Sequence, residues 1–285
     1  MNYREIDISA WRQVGEGGNG KVFDNPSEPG VILKVNNKGL DTLEFAQKEY
    51  NVSTAVRKLG LSVPEAKEIV RVGDSFGTIT EKILCKKSLS RICHDDPSRI
   101  EEMAEFLCAR GKELFATPCD KSLFPSRREQ LMKSLGKVRF VSKKNIEILR
   151  AFAETIEEAD TCIHGDFNMG NLVLGADRSF WIDLDRFGYG NPMFDIGHLF
   201  QICNTYASMR QVHDIFHLGE DQLHRFWDAF AKAYTGKEDH SEFDRLAGKF
   251  AAMDMVLCYE FHKDNLAEQI FFGVIIKRLI KKFYV

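Results

Sequence analysis

The stretch Val14-Gly-Glu-Gly-Gly-Asn-Gly-Lys-Val-Phe23, taken with the Asp24-Asn-Pro-Ser-Glu-Pro-Gly30 behind it, restricts what the first part of this chain can fold into more than any other feature. Its glycines fit three phosphate-binding spellings. Gly15, Gly17 and Gly20 give the G-x-G-x-x-G of a dinucleotide turn, the same letters with Val22 give G-x-G-x-x-G-x-V, and Gly15 to Lys21 gives most of a P-loop. All three use glycine because a residue without Cβ lets backbone N–H groups close on phosphate oxygens. A dinucleotide turn or a P-loop must run straight into a helix, whose N-terminus completes the anion site. The breakers at Asp24 to Gly30 cannot carry a helix, and Val22 stands where a P-loop needs Ser or Thr. What remains is a glycine tip between two strands, with Gly15, Gly17, Gly18, Gly20 and Val22 as candidate nucleotide-binding positions. A glycine hairpin with no ligand has the same spelling, so this loop does not define a function by itself.

The rest of the 285-residue chain allows one large or two modest domains with real cores, and its 44% hydrophobic and 28% charged content is that of a globular protein. A formal net charge of -3 gives no electrostatic case for a nucleic-acid partner. Seven cysteines without C-x-x-C spacing fit small buried side chains in a reducing compartment rather than a disulfide framework or zinc knuckle. The charged N-terminus Met-Asn-Tyr-Arg-Glu-Ile-Asp and the lack of any membrane-length apolar run lead to the expectation of a cytoplasmic protein without membrane insertion. The C-terminal segment Glu268 to Val285 alternates apolar groups with Lys277, Arg278, Lys281 and Lys282, and reads as a last helix docked on the core with a basic outer face.

Up to about Thr80 the pattern is strand-like with one helix. Val31-Ile-Leu-Lys-Val35 is a strand, Asp41 to Leu59 has helical spacing with Phe45, Val52, Val56 and Leu59 on one face, and Ile69 to Val72 and Thr78 to Thr80 flank the turn at Gly73 to Gly77. From Ser88 the chain is helical except for a β-rich island around 162–183. The expected fold class is α+β and bilobal: an N-terminal lobe over 1–82 with an antiparallel sheet and one helix, and a larger, mainly helical lobe over 83–285. The connection near Glu81-Lys-Ile83 adds Glu81 and Ile83 as candidate nucleotide contacts.

The island holds Ile163-His-Gly-Asp-Phe-Asn-Met-Gly-Asn-Leu-Val-Leu174 and then Trp181-Ile-Asp-Leu-Asp185. His164, Asp166 and Asn171 have the spacing H-x-D-x-x-x-x-N, with Asp183 following, which is the order of a phosphoryl-transfer loop. That chemistry needs one base at the attacking hydroxyl and hard oxygen ligands for magnesium. A turn rich in Asn and Asp that satisfies its own backbone would account for any one of these residues alone. It does not account for the whole ordered set placed after a glycine loop.

With Gly190-Asn-Pro192 and Phe194-Asp195-Ile196-Gly197 added, the chain resembles the aminoglycoside phosphotransferase and choline kinase superfamily, with its protein-kinase-like fold, from residue 11 to about 200. The resemblance implies ATP and magnesium as cofactors and the hydroxyl of an aminoglycoside-, choline- or sugar-like small molecule as acceptor. It implies that Asp166 is the catalytic base with His164 as its structural organiser, that Asn171 and Asp183 hold magnesium, and that Asp195 braces the loop from behind. Asp185 is compatible with a metal ligand, an acceptor contact or a turn cap. Lys34 would reach the nucleotide phosphates, steadied by Glu49, which follows Phe45 by one helical turn; Glu44 is the rival.

Departures from the protein-kinase pattern point to a small acceptor. Gly165 replaces the Arg of His-Arg-Asp, Asp183-Leu-Asp185 replaces Asp-Phe-Gly, and only nine residues separate Asp185 from Asp195, too few for a peptide-docking activation segment. Phe226, Trp227, Phe230, Tyr234, Tyr259 and Phe261 could cage a quaternary amine, but their spacing is that of helices burying aromatic faces. Two other functions share the scaffold: a nucleotide-binding pseudoenzyme, and a nucleotidyl or protein-modifying transferase.

Overall fold

The computed structural model describes residues 3–17, 20–37, 42–261 and 264–284. The chain divides into two compact units: Met1–Lys87 with Val173–Asp185, and Ser88–Leu172 with Arg186–Val285.

The first unit is built on a six-stranded sheet in the order Arg4–Glu5, Ala66–Val72, Ser75–Glu81, Val31–Asn36, Gly20–Asp24, Arg12–Gly17. Arg4–Glu5 pairs in parallel with its neighbour, and the other pairings are antiparallel. The glycine stretch closes a hairpin from Gly17 opposite Gly20, with a register shift between Gln13 and Gly15. Gly20 and Lys21 are strand, so no helix follows the glycines; Gly18 lies outside the described residues.

Alternation along Val31–Asn36 decides what each side chain does. Val31, Leu33 and Val35 join Val70, Ile79 and Trp11 in an apolar cluster. Lys34 and Asn36 take the other face, toward the helix Thr42–Lys58, where Asn36 Nδ2 donates to Thr42 O at 3.3 Å. The buried residues of that helix are Thr42, Ala46 and Val56. Phe45, expected on the inward face, is 37% exposed. Val56 is buried as expected, and at the start of the helix the small Ala46 takes the place expected of Phe45, with Thr78 Oγ1 donating to Ala46 O at 3.5 Å.

The later segment of this unit is a hairpin of Leu172–Leu174 and Ser179–Trp181. It is tied to the segment after the helix by Ser62, whose Oγ donates to Ser179 O at 2.6 Å and whose carbonyl accepts from Trp181 N at 2.9 Å. Arg178 reaches Glu81 at 3.0 Å.

The second unit is mainly helical. Ile100–Ala116 packs on Glu220–Thr235, and Met193–Phe200 and Leu266–Phe283 pack on Ser241–Phe261. Its core is aromatic: Phe226, Trp227 and Phe230 are buried, Trp227 meets Phe200 edge-on at 4.9 Å, and Tyr259 is buried with its hydroxyl donating to Gln269 Oε1 at 3.0 Å. These residues are therefore packing, as their helical spacing indicated; the Phe261 side chain lies outside the described residues. Leu266–Phe283 buries Phe272, Ile276, Leu279 and Ile280 and turns Lys277, Arg278, Lys281 and Lys282 outward. Among the described residues no helix is long and apolar enough to cross a membrane.

Met193–Phe200 and Ser241–Phe261 approach closely because Gly197 has no side chain: a Cβ there would lie 2.5 Å from Phe250 Cβ and 2.7 Å from its backbone carbon. Gly197→Ala is expected to lower stability by about 1–3 kcal/mol through overpacking, read as a drop in urea midpoint with unchanged slope.

Candidate active site

The residues singled out in the sequence fall into two groups, one in each unit. In the first unit Lys34 Nζ donates to Glu49 Oε1 at 2.9 Å, so Glu49 and not Glu44, which is exposed on the helix, is the partner. Burial alone would lower the Lys34 pKa; Glu49, with smaller help from Asp185 and Asp183, reverses the sign and raises it. The pair is thus ionic, and two further carboxylates act on the same ammonium. Asp183 and Asp185 are exposed beyond the Ser179–Trp181 strand, and Asp183 sits in the left-handed region at φ 60°. Such a backbone is uncommon for a residue other than glycine and costs on the order of 1 kcal/mol or more. Glu81 ends its strand with its carboxylate held by Arg178, and Ile83 is partly buried beside Gly175.

In the second unit the strand Cys162–Ile163 pairs with Gly188–Tyr189 and delivers the chain into the loop. Asp195 fixes what comes next. Its buried carboxylate accepts from His164 N at 2.6 Å and from Gly165 N at 2.7 Å. Burial pushes its pKa up to about 6, held in check by those two N–H groups and by the buried Arg127 guanidinium. Gly165 has φ 81°, and a Cβ on it would lie 1.8 Å from Arg127 Nη2 and 2.1 Å from Arg186 O, so no other residue fits. Arg127 donates to that same Arg186 carbonyl at 2.8 Å.

Past this clamp the loop is held by its own side chains and by the core. His164 is buried and its Nδ1 accepts from Asp166 N at 3.3 Å, so it organises the backbone. Phe167 is buried against Phe115 and Phe230. Asn168, which the sequence reading passed over, accepts from Gly170 N and Asn171 N and donates to Asp166 O at 3.0 Å. This is the self-satisfying Asn turn weighed above, and here it supports the ordered acids rather than replacing them. Asn171 Nδ2 donates to Asp166 Oδ2 and to Asp166 O, both at 2.9 Å.

The Asp166 carboxylate is partly exposed and meets a group that sequence reasoning missed. His198 Nε2 lies 2.8 Å from Asp166 Oδ1, and its Nδ1 lies 2.8 Å from Asp254 Oδ2. The ring is buried, with each of its nitrogens against one carboxylate oxygen. Burial would favour the neutral ring. Asp254 and Asp166 outweigh it and push the His198 pKa up to about 10. Asp166 is in turn held well below the usual carboxylate range against its burial by His198, with His164 and Arg186 contributing. The Gln201 side-chain amide faces Asp254, and assigning its nitrogen to that side gives a donor 3.0 Å from Oδ2. A signal for these residues does exist in the sequence: His198 and Asp254 each interrupt an apolar run, Phe194-Asp-Ile-Gly-His-Leu-Phe200 and Phe250-Ala-Ala-Met-Asp-Met-Val-Leu257.

The His198 linkage has a definite sign. Its folded pKa of about 10 exceeds the ordinary 6.5, so its contribution to stability is fully present below pH 6.5 and is lost as pH rises through about 10. Urea midpoints of the wild type are expected to fall more steeply over that window than those of His198→Gln, whose curve lacks this proton. Parallel curves would show that the ring is neutral in the folded protein.

A family model described as the phosphotransferase enzyme family matches residues 11–238. Methylthioribose kinase of Geobacillus kaustophilus is 26% identical over 117 residues, which is 41% of this chain and 29% of that protein. A choline/ethanolamine kinase family protein from Mesorhizobium loti superposes with a TM-score of 0.58 at 16% identity, covering 96% of this chain and 90% of that one. A thermostable mutant of aminoglycoside phosphotransferase APH(4)-Ia, in complex with AMP-PNP and hygromycin B, gives 0.62 at 15% identity, covering 96% and 93%. At these identities the superpositions establish a kinase-like fold. With the family model spanning most of its length, the chain belongs to the phosphotransferase enzyme family.

Proposed function

We propose that this protein is a small-molecule kinase that transfers the γ-phosphoryl group of ATP, in a magnesium-dependent reaction, to a hydroxyl of its acceptor. The observation that carries this reading is the state of Asp166: an ionised, partly exposed carboxylate on a loop whose backbone Asp195 pins and whose orientation Asn171 and His198 fix. A base of phosphoryl transfer needs little more than correct placement, because the reaction depends on positioning and electrostatics.

Asn171 and Asp183 are the residues proposed to hold magnesium, on the chemistry of their oxygens. Asn171 turns its Nδ2 onto Asp166, which directs its carbonyl oxygen, a hard ligand, away from that carboxylate. Asp183 adds a carboxylate, with Asp185 beside it as a candidate. Among the described residues no cluster of three or more His, Cys, Asp or Glu forms a cage. Magnesium commonly binds through one or two protein oxygens and completes its shell with water and phosphates. When bound, magnesium would neutralise charge developing on the transferred phosphoryl group.

The protein's own part is then as follows. Lys34, kept charged by Glu49, binds the nucleotide phosphates, and the glycine hairpin lends backbone N–H groups to them. Asp166 orients the acceptor hydroxyl and takes its proton. The acceptor oxygen forms its bond to the γ-phosphorus as the bond to the β–γ bridging oxygen breaks, and ADP leaves with that electron pair. Solved relatives of this fold include a gentamicin complex of APH(2")-IIa. The acceptor proposed for this chain is a hydroxyl-bearing small molecule. The site sequence supports no peptide, since Gly165 replaces the Arg that grips a phosphorylated activation loop and the segment before Asp195 is short.

Asp166→Asn is expected to leave ATP affinity nearly unchanged while single-turnover transfer, once an acceptor is found by mass gain of one phosphate in a metabolite pool, falls on the order of a hundred- to ten-thousand-fold. A variant within a few-fold of wild type would remove Asp166 from the base role. Asp183→Ala is expected to abolish the gain in ATP affinity that magnesium gives the wild type, measured by calorimetry with and without the ion; equal magnesium dependence in a folded variant would place the metal site elsewhere.

A further inference from the structure

Asp166 as base leaves one buried group without a role. His198 is not part of the acid cluster that the sequence presents, yet it stands between two carboxylates at 2.8 Å each, and it sits on the same helix as Asp195, three residues further on. What distinguishes this ring from His240, which also lies between two carboxylates, is that it is buried and that one of its acids is Asp166. A buried polar group is ordinarily satisfied by its nearest backbone partners, whereas this ring spans from the loop to the helix Ser241–Phe261.

We propose that His198 is a positioning residue of the transfer reaction, which rests on Asp166 being the base: clamped by Asp254, it engages Asp166 Oδ1 and leaves Oδ2 as the oxygen that meets the acceptor hydroxyl. The distribution of contacts carries the argument. Oδ1 is taken by His198 and by Asn168 Nδ2 at 3.2 Å, whereas Oδ2 has the Asn171 amide at 2.9 Å. Two constraints on one oxygen and one on the other fix the carboxylate plane, so the free lone pair of the base lies on Oδ2. With a carboxylate against each of its nitrogens, the ring is held most strongly as a cation that donates on both sides. Asp254 supplies the reason for that charge. Its own pKa is lowered against burial, chiefly by His198 and then by Arg186 and Arg127, so it is an anion when the ring is a cation.

The groups around the ring are accounted for. The loop presents Asp166 and His164, the helix Ser241–Phe261 presents Asp254 and Cys258, Arg186 and Arg127 face the acids from the segment after Asp185 and the helix Arg127–Leu135, and Asp195 precedes the ring on its own helix. Asp166, Asp195 and Asp254 are balanced by His198, Arg127 and Arg186. Removing the ring therefore leaves an excess of negative charge beside the base and frees its plane to rotate.

The test compares wild type, His198→Ala, His198→Gln and Asp254→Asn in single-turnover hydrolysis of radiolabelled ATP to ADP and phosphate with the enzyme in excess, with no acceptor added, and with ATP affinity measured in parallel. The expected result is a ten- to hundred-fold loss of rate in His198→Ala at unchanged ATP affinity, partial recovery in His198→Gln, which keeps an N–H toward Oδ1, and a smaller loss in Asp254→Asn. Asp166→Asn in the same assay separates the two readings. If it is inactive while the folded His198 variants hydrolyse at the wild-type rate, this inference fails and the base assignment stands; if it hydrolyses at the wild-type rate, the base assignment fails as well. The clamp is read without turnover by nitrogen-15 NMR of histidine-labelled protein at pH 8. A histidine signal with both ring nitrogens protonated is expected in the wild type that vanishes in His198→Gln, while the signal of His240, which also lies between two carboxylates, Asp244 and Asp228, persists in the variant. A neutral His198 would overturn the proposal whatever the rates show.

Discussion

One carboxylate holds two consecutive backbone amides, and the geometry of the candidate loop follows from that interaction. Asp195 accepts from His164 N and Gly165 N. Each of those buried N–H groups would cost about 1–3 kcal/mol if left unpaired. The clamp sets the plane in which the chain turns through Gly165, and so it decides where Asp166 emerges. The helix that carries Asp195 carries His198 a turn later, so one rigid element fixes first the backbone of the loop and then the side chain at its tip. The helix itself is seated by the close approach at Gly197, so a packing contact with Phe250 is linked to the aim of an acid on another segment.

Buried charge of this density is ordinarily unfavourable, since each ion loses its hydration. Here the ions alternate in sign: Asp254, His198 and Asp166 in a line, with Arg127 and Arg186 alongside. The result is a block of low net charge whose members hold one another in fixed protonation states. The first unit repeats the principle on a smaller scale. An ammonium whose pKa burial would lower is kept charged by Glu49, and it is placed there by strand alternation, which sends Val31 and Leu33 to one face and Lys34 to the other.

The parts of this fold that are legible in the sequence are those written in local pattern. Breakers at 24–30 rule out a helix after the glycines, β-branched alternation marks Val31–Asn36, and helical spacing marks most of the second unit. The aromatic residues at 226, 227, 230 and 259 are packing, as their periodicity indicates. What is not legible depends on contacts across long sequence separations. Phe45 departs from its expected place because hydrophobicity favours the large ring inward, whereas the structure buries the small Ala46 there and keeps only Val56 of the expected face fully buried. The pairing of His198 with Asp254 joins residues 56 apart on two helices, and local spacing is silent about it. The signal that survives is a polar residue breaking an apolar run, which says that a partner exists without saying which.

Gly165 and Arg127 contend for one volume. The guanidinium occupies the space into which any side chain at position 165 would project, and it reaches there from a helix that begins well before the loop in the chain. The two positions are therefore a linked pair. A relative that places arginine directly before its loop aspartate, as protein kinases do, has to dispense with the cation at position 127, and a chain that keeps the latter has to keep glycine. The positive charge beside the loop is thus supplied from a distance, on a fully enclosed side chain that cannot reach out to a phosphorylated segment. In this protein that charge belongs to the packed architecture of the second unit, tied by its hydrogen bond to the Arg186 carbonyl.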